Sequence, residues 1–200
     1  VNAAFAKTAI ALGPMSGKIL DVGTGTARIP IAICQMRPTW ELTCIDLSAN
    51  MLKVGAENVS EAGFRSQIKL ELIDAKAMPY PDSYFDMVIS NSIIHHLPDP
   101  LPFLQEVKRV LKPQGAIFLR DLLRPEKAEI RDNLVNLYVG DCNTHQKQLF
   151  SDSLQAAFTL DEVEEMIQNA GLDGLRIYES SDRHWTAERA WTGLTQPQYV

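Results

Sequence analysis

Cysteine is scarce in this chain: three in 200 residues, Cys34, Cys44 and Cys142, with no C-x-x-C pair. That excludes a disulfide-stapled scaffold, and the apolar surroundings of Cys34 and Cys44 read as buried thiols of a reducing compartment. Long apolar runs are missing too. None approaches the ~20 residues of a membrane-spanning helix, and no signal-peptide pattern opens the chain. Positive charge is in deficit, 19 Lys and Arg against 25 Asp and Glu for a net −6, without a local basic cluster. The electrostatic footprint of a nucleic-acid-backbone binder is therefore absent. The expectation is a cytoplasmic, enzyme-sized domain with no nucleic-acid, membrane or metal partner. Val1 is not a start methionine, so the reading allows for a longer parent chain.

What is present is ordinary for a packed fold: 46% hydrophobic and 22% charged residues. The length fits one domain, read as residues 1–200, and suffices for a sizeable core. Strand and helix patterns alternate through the first half. Strands are expected at 18–22, 41–45, 68–73, 85–90 and 116–119. Helices are expected at 29–36, at 49–62 after the N-cap Ser48, and at 103–111 from the spacing of Phe103, Leu104, Val107, Val110 and Leu111. Such alternation belongs to a doubly wound α/β sheet. Residues 124–158 are more polar and read as a helical insert. Thr159 and Glu162 then form a capping box with a Phe158–Val163 staple, and two last strands, about 175–178 and 184–191, turn at Ser180-Ser-Asp182.

The chemistry concentrates in Ile19-Leu-Asp21-Val-Gly23-Thr-Gly25-Thr-Ala27. Glycines between a first strand and a first helix let a ligand approach the backbone in the crevice beyond the strand ends. Asp46 closes the second strand where a carboxylate can accept from ribose hydroxyls, and Asp74-Ala75 closes the third, offering an acceptor and a backbone donor to an adenine edge. The third glycine of a dinucleotide fingerprint would fall at Arg28, which is too large for that contact. Asp21, two residues before the first glycine, would repel a pyrophosphate but suits an ammonium. These details favour S-adenosylmethionine over a nicotinamide dinucleotide.

On these residues the chain resembles the class I S-adenosylmethionine-dependent methyltransferases of the small-molecule type. The likeness runs from Lys18 to about Asp121. It rests on Leu20-Asp-Val-Gly-Thr-Gly-Thr26, Ile45-Asp-Leu-Ser48 with Met51, and Asp74-Ala75. It continues through Met78-Pro-Tyr-Pro-Asp-Ser-Tyr-Phe-Asp86, Ser90-Asn-Ser-Ile-Ile-His-His-Leu-Pro98 and Leu111-Lys-Pro-Gln-Gly115. The resemblance implies a Rossmann-like seven-stranded sheet, mostly parallel with an antiparallel C-terminal strand. It implies that Asp21, Gly23, Thr24 and Gly25 line the methionine end of the cofactor. Asp46 would hold the ribose, Leu47 and Met51 the adenine faces, Asp74 and Ala75 the adenine edge, and Asn91 would approach the methionine portion. Ala27 stands where the family usually has glycine. The fourth strand continues as Ser90-Asn-Ser-Ile93 and not Asn-Pro-Pro-Tyr, which speaks against methylation of nucleic-acid amino groups.

The activity so implied is methyl transfer by in-line displacement to a small-molecule acceptor, which positioning alone can accelerate strongly. Candidate bases are His95, His96 and His145, although packing and loop capping explain the first two as well. Tyr138, Asp141, Cys142, His145 and Gln146 fall where an acceptor-binding insert would sit. Lys108, Arg109 and Lys112 read as a solvated face at a helix C-terminus. Two rival readings remain: a cofactor-binding protein without turnover, and a nicotinamide-dependent oxidoreductase.

Overall fold

The computed structural model describes residues 2–193. Seven strands form one sheet: β1 (Gly17–Val22), β2 (Trp40–Asp46), β3 (Ile68–Leu72), β4 (Phe85–Asn91), β5 (Leu111–Leu122), β6 (Arg176–Ser181) and β7 (His184–Arg189), in the order β3-β2-β1-β4-β5-β7-β6. β1 to β5 are mutually parallel, and β7 runs antiparallel between β5 and β6. The order reverses between β1 and β4, which opens a crevice at the carboxyl ends of the central strands. β4 is buried at six of its seven positions, as its apolar sequence requires of a strand covered on both faces.

The helices are α1 (Asn2–Leu12), α2 (Arg28–Met36), α3 (Ala49–Glu61), α4 (Leu101–Val110), α5 (Ala128–Val139), α6 (Thr144–Ala156) and α7 (Leu160–Asn169). Two cores lie on opposite faces of the sheet. One packs Phe5, Ile33 and Val59 on Ile19, Met87, Ile89 and Phe118. The other packs Phe103, Val107, Val163 and Ile167 on Leu20, Val88, Ile117 and Leu119. A third, smaller core of Leu122, Leu134, Leu154 and Ala157 holds α5 and α6, so residues 124–158 are a helical hairpin at the top of the sheet.

Several local expectations need correction. α1 was not legible because Asn2–Leu12 is alanine-rich and apolar on every side, so it lacks the contrast of a surface helix. It is held by Phe5, whose ring lies 4.3 Å from that of Phe118. β5 begins at Leu111, directly after α4, and Lys112 to Gly115 bulge between the pairs Phe85–Leu111 and Met87–Ala116. β6 extends through Ser181, leaving Asp182 and Arg183 as the hairpin turn, and β7 ends at Arg189. Arg109 is no solvated charge. Its guanidinium bonds Glu106, Asp82 and the carbonyls of Met78 and Tyr80, clamping the Pro-rich loop, while Lys112 pairs with Asp86 at 2.6 Å.

Candidate cofactor and acceptor site

The glycine turn leaves β1 and docks on the end of β2: Gly23 and Thr24 both donate backbone N–H groups to the Ile45 carbonyl, at 2.9 and 3.0 Å. Gly23 has φ +74°, and a Cβ there would press to 3.0 Å from Ile93, so glycine answers both a backbone and a space requirement. Asp46 ties the turn to the next loop. One carboxylate oxygen accepts from Gly25 N and the other from Ser48 N, both at 2.8 Å, and each keeps a lone pair for a hydroxyl. Ser48 in turn caps α3 through Met51 N. Ala27 enters α2 with φ +60°, a left-handed conformation that explains a preference for glycine there.

Asp21 is the most perturbed acid of the turn. The residue is 2% exposed, and burial pushes its carboxyl up to about 7, opposed by the neighbouring Thr24 side chain and aided by the charge of Asp46. Its Oδ2 and the Thr24 Oγ1 are buried without hydrogen-bond partners among the described residues. A buried carboxylate oxygen left unpaired is costly unless a donor or cation arrives to meet it. The pair therefore fits the ammonium end of S-adenosylmethionine.

Beside the turn lies a slot of about 50 Å³ lined by Gly23, Asp46, Leu47, Asp74, Ala75 and Lys76, and closed by Ile73, Ile93 and Leu97. Five of the residues expected from sequence thus meet on one slot, with Asp21, Thr24 and Gly25 on the turn that walls it. Leu47 is an exposed apolar side chain on its rim. Asp74 is turned toward its own loop, accepting from Lys76 N at 2.9 Å and pairing with Lys76 Nζ at 3.1 Å, which holds its carboxyl below the usual range. Met51 is exposed on the first turn of α3 and does not line the slot. Asn91 does not line it either: its Oδ1 accepts from Arg120 Nε at 3.0 Å. Ile73, Lys76, Ile93, Leu97 and Arg120 were not singled out from sequence. Ile93 and Leu97 lie inside a quoted motif without having been given a role, and the others lie beside such motifs.

The histidines separate. A 3-10 turn, Ile94–His96, runs between the slot residues Ile93 and Leu97. His95 Nδ1 meets Asp121 Oδ1 at 2.5 Å, and the same carboxylate accepts from Ile94 N and Leu122 N. The ring of His96, an exposed residue, lies 3.9 Å from that of His95 at a 43° tilt, and partial desolvation, with His95 adding to it, lowers its pKa. α6 packs against this turn. His145 is exposed on α6, and Gln146 serves the Asn143 capping box. Asp141 and Cys142 are exposed, whereas Tyr138 reaches across to Asp182. Among the described residues no helix is long and apolar enough to cross a membrane.

The sheet order, the switch-point crevice and the orphaned acid on its glycine turn define a Rossmann-like methyltransferase fold. Residues 15–178 match the Methyltransf_31 family, described as a methyltransferase domain, and the chain belongs to that family. It is a class I methyltransferase domain. A demethylmenaquinone methyltransferase of Anoxybacillus flavithermus is 38% identical over 109 residues, 54% of this chain and 46% of that protein. The chain thus spans about half the length of the curated relatives it matches. A SAM-dependent methyltransferase from Aquifex aeolicus superposes with a TM-score of 0.68 at 20% identity, over 93% of this chain and 89% of the other. A Haemonchus contortus phosphoethanolamine N-methyltransferase 2 in complex with S-adenosyl-L-methionine gives 0.70 at 22%, over 90% and 38%. At those identities the two structures show the fold.

Proposed function

We propose that this protein methylates a small-molecule acceptor, with the site at the ends of β1, β2 and β4. The observation that carries the reading is the buried Asp21 carboxyl with its unpartnered Oδ2, together with the unpartnered Thr24 hydroxyl, on the glycine turn. When bound, S-adenosylmethionine supplies a methyl group on a positively charged sulfur, open to attack from the side opposite that sulfur. Asp21 and Thr24 hold the ammonium end, Gly23 and Gly25 leave room for it, and Asp46 accepts the ribose hydroxyls. Leu47, Asp74 and Ala75 meet the adenine. Ile93 and Leu97 give the slot an apolar wall. His96, on the short turn between the slot residues Ile93 and Leu97, would take a proton from an acceptor hydroxyl, and the α5–α6 hairpin would contribute to acceptor choice.

The relatives' acceptor is a demethylmenaquinone by name. The test is a thermal-shift titration with S-adenosylmethionine, S-adenosylhomocysteine and NAD(H), followed by cofactor consumption with candidate acceptors. A ligand at 100 times its Kd adds about 2.7 kcal/mol, or roughly 5–10 °C for a protein this size. Stabilisation by the adenosyl compounds alone supports the reading. A shift with NAD(H) instead would favour an oxidoreductase, and binding without consumption of any acceptor would favour a binding protein.

A further inference from the structure

A second cavity, about 460 Å³, opens on the α1 side of the sheet at the ends of β5 and β6 and the start of β7. Arg120, Thr186 and Tyr178 of its lining belong to a row of residues in cross-strand register that Asn91 continues outside the cavity. Asn91 pairs with Arg120, Arg120 with Thr186, and Thr186 with Tyr178. Val22 pairs with Ser90, so Gly23 follows β1 level with Asn91, and the row runs from the glycine turn across the sheet. Phe118 and Tyr138 add aromatic wall, and Ala4 and Thr8 of α1 close one side.

The charges in this cavity do not balance. Arg183 is satisfied: it stacks 3.4 Å over the Tyr138 ring and bonds Asp182 at 3.0 Å, and Asp182 also accepts from the Tyr138 hydroxyl. Glu188, next along the same face of β7, is taken by the Tyr178 hydroxyl at 3.1 Å. Arg120 is different. Its Nε spends itself on the neutral Asn91, its plane lies over Phe5, and no carboxylate pairs with it among the described residues. Burial, with the nearby Arg183 charge, lowers its pKa. His184, which lines the same cavity, is pushed down to about 4 by burial and then by Arg120 and Arg183. A half-buried guanidinium with an unused planar fork is matched by a bidentate oxyanion.

We infer that Arg120 is the anchor of an acceptor subsite, and that the acceptor is a small organic oxyanion, a carboxylate or phosphate on an aromatic body. The volume lies within the range of small-ligand cavities, and Tyr138, Tyr178 and Phe118 give its lining an aromatic character. The inference rests on the methyltransferase reading for its meaning: an anion held on Arg120 projects the rest of the acceptor along the row toward Asn91 and the glycine turn. The binding itself is testable without that reading.

The experiment is isothermal titration of the full chain, with and without saturating S-adenosylhomocysteine, using benzoate, phenyl phosphate and benzamide as probes. The two anions are expected to bind with millimolar Kd or better, and whichever is tighter tells carboxylate from phosphate. The neutral, near-isosteric benzamide should bind about tenfold or more weakly, and Arg120→Met should weaken the anions by a similar factor. Arg120→Lys should restore part of the affinity, and added salt should reduce it. Equal binding of benzoate and benzamide, or no binding of either anion, overturns the proposal. A second readout covers a variant that fails to fold: in the unsubstituted protein the His184 imidazole titration, assigned with His184→Gln, should move up with benzoate and stay put with benzamide. An unmoved His184 resonance also overturns it. Failure of S-adenosylhomocysteine to bind counts against the methyltransferase reading alone, because the anion titration is read in its absence too.

Discussion

Asp21 couples the stability of the fold to the affinity of its site, and the coupling has a sign and a size. Its folded carboxyl, pushed up to about 7 from an ordinary 3.8, lies roughly three units high. At about 1.36 kcal/mol per unit, ionising it in the folded protein costs on the order of 4 kcal/mol at most. The folded state therefore keeps a proton that the unfolded chain loses above about pH 4. That contribution to stability is complete below the unfolded pKa and disappears as pH rises through about 7. Asp21→Asn removes the ionisation and leaves a buried amide whose unmet hydrogen bonds cost about 1–3 kcal/mol. The net expectation at pH 8 is a gain of about 1–3 kcal/mol, or roughly 3–10 °C in Tm. At pH 4 the gain should vanish or reverse. The same substitution should weaken S-adenosylhomocysteine about 10- to 150-fold at pH 8, because a charge-assisted bond to the ammonium is lost. Thermal melts of both proteins from pH 4 to 8, with and without that ligand, measure all of this. If the Tm difference between the two is the same at every pH, the buried ionisation is not what sets the stability of this turn.

Other substitutions probe neighbouring supports. Asp46→Ala frees the amides of Gly25 and Ser48, and should cost about 1–2 kcal/mol in urea unfolding and abolish the adenosyl-ligand thermal shift; an unchanged shift would remove Asp46 from the site. Ala27→Gly relieves a left-handed alanine worth about 1–2 kcal/mol, offset in part by added chain entropy, so a Tm rise of a few degrees is expected, and a fall would show that the Ala27 methyl matters more to the core than its backbone does. Asp121→Ala strands three donors, from Ile94, His95 and Leu122, and should lower stability by about 3 kcal/mol in a denaturant melt; a loss under 1 kcal/mol would mean that water replaces the carboxylate there.

The alternation of apolar strands and amphipathic helices, the Ser48 cap and the Thr159–Glu162 capping box are local, and the folded chain carries them where the periodicity placed them. Asp21, Gly23, Asp46 and Asp74 were legible for the same reason. A parallel strand must end where its loop turns over the crevice, so acids and glycines at strand ends are brought together by the architecture itself. α1 was not legible, since an apolar segment with no polar face shows no period until a sheet is present for it to cover. Arg109 read as surface because its partners, Asp82 and the Met78 and Tyr80 carbonyls, lie some thirty residues away. The same holds for His95, whose meaning changes with Asp121 at the end of another strand, and for Arg120. Whether a charge is solvated, paired or left facing a cavity depends on which strands become neighbours. By itself the sequence determined most of the elements, α1 excepted, together with the sheet class and the glycine turn with its acids, all set by spacings along the chain. The register joining Asn91, Arg120, Thr186 and Tyr178, and with it the cavity that Arg120 lines, was decided only when β4, β5, β7 and β6 closed against one another in the tertiary structure.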